Sequence, residues 1–291
     1  MYGVLFRLVQ ENRTIIFKSW LTSIVRSSDK EKDCVRADSR DCRRWPRHHF
    51  QLVYRPYNLA SPTLYVALLE AFQKAVSDGS RAILLKSGLR HFCAGADVSL
   101  WDERIANDGR PRMSPLDVLH GFEQLPIPIV VAVHGACLGG GLEIALACDY
   151  IVAASSAKIG SVEATLGVHP LLGGIQRQAQ RMGTARAKEM TMLGRRHDAA
   201  TLEKWGLINR VVPDIELDEV ALSVAHELAA GPTIAHAATK RLITIAINEG
   251  VEAADLAMFE IQKPIWASED IRAGLESFRA EGPGLAKFEG V

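Results

Sequence analysis

The stretch from Pro126 to Glu143 restricts the possible fold of this chain more than any other. It reads Pro-Ile-Pro-Ile-Val-Val-Ala-Val-His-Gly-Ala-Cys-Leu-Gly-Gly-Gly-Leu-Glu. The short, β-branched run at 127–133 predicts a strand covered on both faces, as in a parallel sheet. Three successive glycines, 139–141, let the backbone approach a ligand because no Cβ stands in the way. A helix that starts there has free N–H groups and the positive end of its dipole beside Glu143, which suits a developing negative charge.

The composition is that of a globular protein. The chain has 291 residues, of which 48% are hydrophobic, and 34 Lys and Arg balance 34 Asp and Glu. This balance does not indicate a nucleic-acid partner, and no apolar run approaches the roughly 20 residues that span a bilayer. The five cysteines are irregularly spaced, which is not a disulfide framework. Cys93, Cys137 and Cys148 stand in apolar segments and are interpreted as buried thiols in a reducing compartment.

Residues 1–47 differ from the rest, with eleven Lys or Arg against six Asp or Glu. We interpret them as an atypical basic N-terminal extension, in the first instance a poorly ordered arm. Residues 1–28 are basic and contain Ser and Thr, so a targeting segment is an alternative. A third hypothesis is a zinc site formed by Cys34, Cys42, His48 and His49. The Cys-x7-Cys spacing does not match known zinc ligands, however.

From residue 48 onward the pattern alternates between strands and helices. Strand-like runs at 50–54, 82–85, 127–133 and 150–153 predict parallel strands joined by crossover helices. Ser61 and Pro62 predict a helix N-cap and the first helical residue. After residue 198 the chain reads as helical, except for a predicted strand at 207–212. The predicted helices there cover 199–205, 217–229, 233–248, 251–265 and 269–278.

This pattern divides the chain into three parts. The N-terminal extension covers 1–47, an α/β core covers 48–212, and a helical C-terminal region covers 213–291. A loop at 107–115 is rich in Gly, Pro and Arg and is a candidate lid.

Two glutamates stand in otherwise apolar segments. Glu143 follows the glycine turn, and Glu163 lies twenty positions later, between Ile159 and Gly167. A buried carboxylate costs free energy unless it is paired or protonated, and two such groups together are a common device for proton transfer. Taken alone, either side chain is explained as an ordinary helix-start or surface carboxylate. The small-residue loop at 94–97, together with the glycine turn, predicts two backbone N–H donors aimed at one oxygen.

In combination these segments resemble the crotonase superfamily, the enoyl-CoA hydratases and isomerases. The likeness runs from about residue 50 to the end, with several motifs in the family's order. The matching segments are 92–97, 128–149, 159–167, 173–177, 199–212 and 268–278. The resemblance implies a crotonase-like α/β spiral of ββα units, followed by a helical C-terminal region that builds a trimer.

The resemblance also implies roles for individual residues. The main-chain N–H groups of Ala96 and Gly140 would bind the thioester carbonyl of an acyl-CoA and stabilise the enolate formed at Cα. The family's two hydratase glutamates fall on Glu143 and Glu163, and we assign Glu143 to the water and Glu163 to the proton at Cα. Coenzyme A would be bound by Ala94, Ala96, Asp97, Gly140 and Leu171, with main-chain contacts of Ala94, Ala96 and Asp97 to adenine. No metal and no redox cofactor is implied, since coenzyme A is part of the substrate.

The sequence departs from the family pattern at two places. Hydratases of the family usually read Pro-Gly-x-Gly-Gly after the second glutamate, and the first of these glycines helps to hold the attacking water. In this chain Leu171 stands in place of that glycine. This change leaves an enoyl-CoA isomerase, or another lyase or hydrolase on a specialised acyl-CoA, as the alternative to an enoyl-CoA hydratase. The retained pair of glutamates favours the hydratase. In addition, the sequence of residues 1–49 does not support the family's N-terminal hairpin.

Hypotheses from other classes remain. The spacing of Gly135, Cys137 and Gly139 after a strand resembles a nucleophile elbow, which predicts a cysteine hydrolase, although no motif places a His–Asp pair. A CoA-binding scaffold without catalysis is a further alternative. The glycines do not complete G-x-G-x-x-G, so a dinucleotide site is not predicted.

The resemblance implies an acyl-CoA thioester as the binding partner and a homotrimer or a hexamer, built as a dimer of trimers. We expect neither a nucleic-acid partner nor a membrane span. The expected location is cytoplasmic, or mitochondrial if residues 1–28 are a targeting segment.

Overall fold

The computed structural model describes residues 7–10, 13–16, 48–106 and 114–291. Its strands are β1 (Arg7–Gln10), β2 (Arg13–Ile16), β3 (His48–Leu52), β4 (Ile83–Ser87), β5 (Ile129–Val133), β6 (Ala136–Leu138), β7 (Tyr150–Ala154), β8 (Lys158–Gly160), β9 (His197–Asp198) and β10 (Arg210–Val212). Its helices are α1 (Pro62–Ser77), α2 (Trp101–Ala106), α3 (Pro115–Glu123), α4 (Gly140–Leu146), α5 (Gly174–Leu193), α6 (Ala199–Lys204), α7 (Leu217–Ala230), α8 (Thr233–Glu249), α9 (Val251–Ala267) and α10 (Glu269–Glu281). Short 3-10 turns lie at Val98–Leu100, Glu163–Leu166 and Asp214–Glu216.

A parallel sheet of five strands is the centre of the fold. Its strand order is β10-β7-β5-β4-β3, and every neighbouring pair is parallel. The middle strand β5 is buried along its whole length, as expected of an apolar strand covered on both faces. Leu64, Leu68 and Phe72 of α1 have no exposed surface and belong to the same core. The predicted organisation of parallel strands and crossover helices is confirmed.

A smaller sheet of three strands holds two of the segments that carry the candidate site. β6 pairs in parallel with β8, and β8 pairs antiparallel with β9. In this register Leu138 stands opposite Gly160. The glycine turn follows β6 directly, and Glu163 comes shortly after β8. The pairing therefore brings two segments that are distant in sequence to the same edge of this sheet, which was not predicted.

An N-terminal hairpin is present, so the expectation that the sequence does not support one was wrong. β1 and β2 pair antiparallel, with Arg7 opposite Ile16 and Gln10 opposite Arg13. The runs Leu-Val at 8–9 and Ile-Ile at 15–16 suit strands joined by a short connection, but they are inconspicuous among basic residues. The hypotheses of a poorly ordered arm, a targeting segment, a zinc site and a lid rest mainly on residues outside the described ranges. The division of the chain into three parts, with boundaries after residues 47 and 212, stays a prediction.

The helices predicted after residue 198 are confirmed to within three residues at each end. The strand expected at 207–212 is shorter, because the amides of Leu207 and Ile208 donate to the carbonyl of Leu202 (2.9 and 3.4 Å) at the end of α6. The long helix α5 was not predicted, and it is kinked at Gly183. In the described part of the chain, no helix combines the length and the apolar character that crossing a bilayer requires.

Asn58 connects the ends of two strands with the loop that carries Ala96. It is fully buried, and its Oδ1 accepts a hydrogen bond from the backbone N–H of Tyr54 after β3 (2.7 Å). Its Nδ2 donates to Oγ of Ser87 at the end of β4 (2.8 Å) and to the carbonyl of Phe92 (2.9 Å). Its φ of +54° is a conformation that Asn tolerates better than most residues do.

Replacing Asn58 by Ala is expected to lower the free energy of unfolding by about 3 kcal/mol, because several buried polar groups lose their partner. Urea denaturation measures this change. Asn248→Ala is the control, since Asn248 is exposed and its replacement is expected to stay within about 0.5 kcal/mol. Equal stabilities of the two variants would contradict the role assigned to Asn58.

Candidate active site

Glu143 lies in the first turn of α4, directly after the glycine turn. Its backbone N–H donates to the carbonyl of Gly139 (3.0 Å), which is the N-cap of the helix. Gly139 has φ of +50°, which residues with a Cβ rarely adopt. A Cβ at this position would stand 3.3 Å from Oε1 of Glu163. The glycine therefore allows the turn to pass close to the second carboxylate.

The Glu143 carboxylate is buried and is held by two backbone amides. The residue is 2% exposed, and Oε1 accepts hydrogen bonds from the N–H groups of Leu172 (2.7 Å) and Gly174 (2.9 Å). Burial raises the pKa of Glu143 to about 7, although both hydrogen bonds oppose this rise. The charge of Glu163 raises the pKa further, and the guanidinium of Arg177 lowers it. Glu143 is therefore suited to exchanging a proton near neutral pH.

Glu163 is buried, and its carboxylate is not held by the surrounding protein. It begins the 3-10 turn after β8 and is 8% exposed. Neither Oε1 nor Oε2 has a hydrogen-bond partner among the described residues. Burial raises the pKa of Glu163, against the opposing effects of its own backbone amide and of His169. A carboxyl group with a raised pKa and two uncommitted oxygens is a candidate for proton exchange with a ligand.

Two main-chain N–H groups lie on the loops beside these carboxylates. Ala60 and Ala96 form a parallel bridge, in which Ala60 donates to the carbonyl of Gly95 (2.8 Å) and accepts from the N–H of Asp97 (2.9 Å). In this geometry the N–H of Ala96 points away from Ala60. Gly140 is the first residue of α4, where an N–H lacks an intrahelical acceptor. Neither N–H donates to a group of the described residues.

The loops that carry Ala96 and Gly140 are in contact. A Cβ on Gly140 would stand 2.9 Å from Cβ of Ala60, the bridge partner of Ala96. A Cβ on Gly139 would stand 3.8 Å from Cα of Gly95. The fold thus brings together the two amides and the two carboxylates that the sequence analysis singled out. Their catalytic roles stay predictions.

Three residues of one loop are predicted to contact adenine, namely Ala94, Ala96 and Asp97, and all three are half-buried. The Asp97 carboxylate accepts from the N–H of Ser99 (3.2 Å) and caps the following 3-10 turn, so it already has a partner within the chain. Leu171 is also half-buried and directly precedes Leu172, whose N–H binds Glu143. The coenzyme A contacts of these residues stay predictions.

Cys137 does not fit the hypothesis of a catalytic nucleophile. It lies in β6 with no exposed surface, and burial raises the pKa of its thiol well above the usual range. A nucleophilic cysteine needs both access and thiolate character. Cys93, Cys137 and Cys148 are all free and buried, which confirms their interpretation as buried thiols.

The turn at 172–174 and its support were not predicted from the sequence. A Cβ on Gly174 would stand 2.8 Å from Cγ of Glu143, so a glycine fits beside the carboxylate. Nε of Arg177 lies 2.7 Å from Oε1 of Glu123, and this pair fixes the start of α5. The available signal was the glycine pair at 173–174, because consecutive glycines mark a turn or a close backbone approach.

A cavity of about 690 Å³ lies between α3, the end of α4, α5 and α8, behind the 172–174 turn. Gly173 and Arg177 line it, but neither buried glutamate does. Two ion pairs stand at its wall, Lys240 with Asp149 (2.7 Å) and Arg177 with Glu123 (2.7 Å). The two glutamates, in contrast, have raised pKa values, and both carboxylate oxygens of Glu163 are uncommitted among the described residues, which are features of functional sites. We therefore place the candidate chemistry at Glu143 and Glu163.

The chain is similar to known proteins along most of its length. The sequence model of the enoyl-CoA hydratase/isomerase family matches residues 51–284. The probable enoyl-CoA hydratase of Rhizobium meliloti strain 1021 is 35% identical over 224 residues, which cover 74% of this chain and 82% of that protein. The mitochondrial methylglutaconyl-CoA hydratase of Homo sapiens is 34% identical over 239 residues, which cover 80% of this chain and 70% of that protein.

The fold is similar to solved structures as well. It matches the crystal structure of enoyl-CoA hydratase from Bacillus anthracis with a TM-score of 0.73 and 30% identity, covering 84% of this chain and 95% of that chain. This likeness confirms the predicted crotonase-like α/β fold with its helical C-terminal region.

Proposed function

Because the chain belongs to the enoyl-CoA hydratase/isomerase family, within the crotonase superfamily, we propose that it adds water across the 2,3 double bond of an enoyl-CoA. The observation that carries the proposal is the pair of buried carboxylates, Glu143 and Glu163, around a glycine turn in which the N–H of Gly140 lacks an acceptor among the described residues. Burial raises the pKa of both groups. Such a pair is suited to taking one proton from the attacking water and giving one proton to Cα.

The N–H groups of Ala96 and Gly140 would form the oxyanion hole. Attack at Cβ moves electrons onto the thioester oxygen and gives an enolate. The bridge to Ala60 and the start of α4 fix the two donors in advance. Donors fixed in this way bind the charged oxygen more strongly than the neutral carbonyl, and this difference lowers the barrier.

The two glutamates would divide the proton transfers. The Glu143 carboxylate removes a proton from water as the water oxygen bonds to Cβ, and the electrons of the double bond move into the enolate. Protonated Glu163 then donates its proton to Cα, and its raised pKa keeps this acid form available. A proton passes from Glu143 to Glu163 through solvent before the next turnover, so the net change is the addition of one H and one OH.

The rate is expected to depend on the ionisation of Glu143. Only its carboxylate form accepts a proton from water, and burial raises its pKa to about 7. Loss of the Glu143 carboxylate should therefore lower the turnover number kcat as the pH falls through about 7, whereas an ordinary Glu would give this acidic limb near about pH 4.3. Because Glu163 must be protonated, its ionisation should lower kcat again at higher pH. A kcat profile from about pH 5 to about pH 9 measures this limb. A rate that is already maximal at the acidic end would contradict the assignment.

The activity is tested with a panel of trans-2-enoyl-CoA thioesters of different chain lengths. Hydration removes the conjugated absorbance, and mass spectrometry identifies the 3-hydroxyacyl-CoA product. The proposal predicts turnover of at least one of these thioesters. Tight binding of coenzyme A without turnover of any of them would indicate a binding scaffold instead.

Leu171 favours a second candidate function, an enoyl-CoA isomerase or another lyase or hydrolase on a specialised acyl-CoA. Its side chain occupies the position where the family's hydratases usually have a glycine that helps to hold the water. In deuterated water, an isomerase would shift the double bond and incorporate deuterium at Cα without hydrated product. A hydratase would give the 3-hydroxyacyl product with deuterium at Cα.

We propose a homotrimer or a hexamer as the assembly, with the helical region 213–291 at the interface. Leu256 and Phe259 of α9 and Phe278 of α10 are exposed in the single chain, and exposed apolar side chains of this size often mark an interface. Analytical ultracentrifugation tests this proposal, and a monomer at micromolar concentration would contradict it.

No metal or redox cofactor takes part in the proposed reaction, so a chelator should leave the rate unchanged. The proposed location is cytoplasmic, with the mitochondrion as the alternative if residues 1–28 are a targeting segment. A fluorescent fusion of the full chain distinguishes the two locations.

A further inference from the structure

Arg177 lies behind the turn that holds Glu143. It belongs to the first turn of α5 and is 7% exposed. Its Nη1 donates to the carbonyl oxygens of Leu172 (3.4 Å) and Gly173 (3.3 Å), while its Nε donates to Oε1 of Glu123 on α3 (2.7 Å). One guanidinium therefore joins the 172–174 turn to a neighbouring helix.

The same turn has a second set of hydrogen bonds on its other side. The N–H groups of Leu172 and Gly174 both donate to Oε1 of Glu143. The carbonyl groups of the turn thus face Arg177, and its amides face the carboxylate. A continuous chain of hydrogen bonds runs from Glu123 through Arg177 and the turn to Glu143.

Gly173 makes this close approach possible. Its φ of +82° favours glycine, and a Cβ at this position would overlap Nη1 of Arg177. The geometry of the turn and the position of the guanidinium are consequently coupled, since a side chain at 173 would displace one of them.

We propose that Arg177, held by Glu123, is a positioning residue that fixes the 172–174 turn and thereby orients the carboxylate of Glu143. The proposal rests on the hydratase function. Arg177 also lowers the pKa of Glu143 through its charge, as do the two amides of the turn. We call Arg177 and Glu123, which together hold the 172–174 turn, the clamp. Loss of the clamp is expected to displace the two amides of the turn, which would raise the pKa of Glu143 and misdirect its carboxylate.

The test compares Arg177→Lys and Glu123→Gln with the same two changes at a more exposed ion pair of α5, Arg186→Lys and Glu189→Gln. Lys keeps the charge, but a single ammonium cannot reproduce the fork of the guanidinium. We expect Arg177→Lys to lower kcat by about 10- to 100-fold with KM within about threefold. The acidic limb of the pH profile should also move up by about one unit. Glu123→Gln should also lower kcat, with a smaller effect, and the two control variants should match the wild type.

A direct titration of Glu143 keeps this test separate from the proposed function. Infrared difference spectra against Glu143→Gln report the protonation of this carboxyl group in each variant. If the wild type does not hydrate any enoyl-CoA, the hydratase function fails, and the infrared titration alone then decides on the clamp. If Arg177→Lys does not fold, Glu123→Gln carries the test. The proposal is overturned if the Glu143 titration and kcat are unchanged in these variants and only the thermal midpoint falls.

Discussion

Replacing Glu143 by Gln is expected to lower kcat for hydration by about 10²- to 10⁴-fold, because an amide cannot take a proton from water. The amide oxygen can still accept the hydrogen bonds from Leu172 and Gly174, so the turn is expected to stay in place. Glu163→Gln should cause a loss of the same order, since the amide cannot donate a proton to Cα in the same way. Stopped-flow or steady-state absorbance with an enoyl-CoA measures both losses.

The double variant distinguishes cooperating groups from independent ones. If the two carboxylates act in one step, the double replacement is expected to cost little more than either single one. Glu189→Gln, at a partly exposed pair with Arg186, is the matched control and should retain the full rate. Rates within threefold of the wild type for both single variants would remove the basis of the mechanism.

Removing the N–H of Gly140 is expected to lower kcat/KM by about 10²- to 10³-fold, the usual effect of losing one oxyanion donor. Proline is the residue that removes this N–H, and it is well tolerated at the first position of a helix. Its Cβ would stand 2.9 Å from Cβ of Ala60, however. The substitution Gly140→Pro is therefore made together with Ala60→Gly, which removes that overlap.

The matched control is Gly140→Ala in the same Ala60→Gly background. Alanine adds the same Cβ but retains the N–H, so the difference between the two double variants reports the loss of the donor together with the bulk of the proline ring. Thermal unfolding of both variants checks that the fold is retained. Equal kcat/KM values for the alanine and proline variants would show that this N–H does not bind the thioester oxygen.

The elements that could be predicted were those whose signal is local. β5 is an uninterrupted apolar run, and α1 starts at a Ser-Pro pair whose Ser61 side chain caps Leu64. The C-terminal helices are bounded by Gly231, Gly250 and Ser268. The two site glutamates were recognisable because a carboxylate in an apolar segment needs an explanation. The position of Glu143 beside three glycines strengthened that interpretation.

The parts that could not be predicted depend on contacts between distant segments. The pairing of β6 with β8 is encoded in two runs of three residues, too short to stand out from their surroundings. The hydrogen bonds of Glu143 come from residues 29 and 31 positions away, and the Arg177–Glu123 pair joins residues 54 positions apart. α5 is polar on average and is interrupted at Gly183, so no long apolar run marks it. The hairpin of β1 and β2 was missed because basic residues surround its short apolar runs.

The most direct test of the account is a crystal structure with a saturated, unreactive acyl-CoA thioester. The account predicts that the thioester oxygen lies about 2.7–3.1 Å from the main-chain nitrogens of both Ala96 and Gly140, with Glu143 and Glu163 facing Cβ and Cα. A thioester oxygen bound by neither amide, or an acyl chain directed away from both carboxylates, would contradict it.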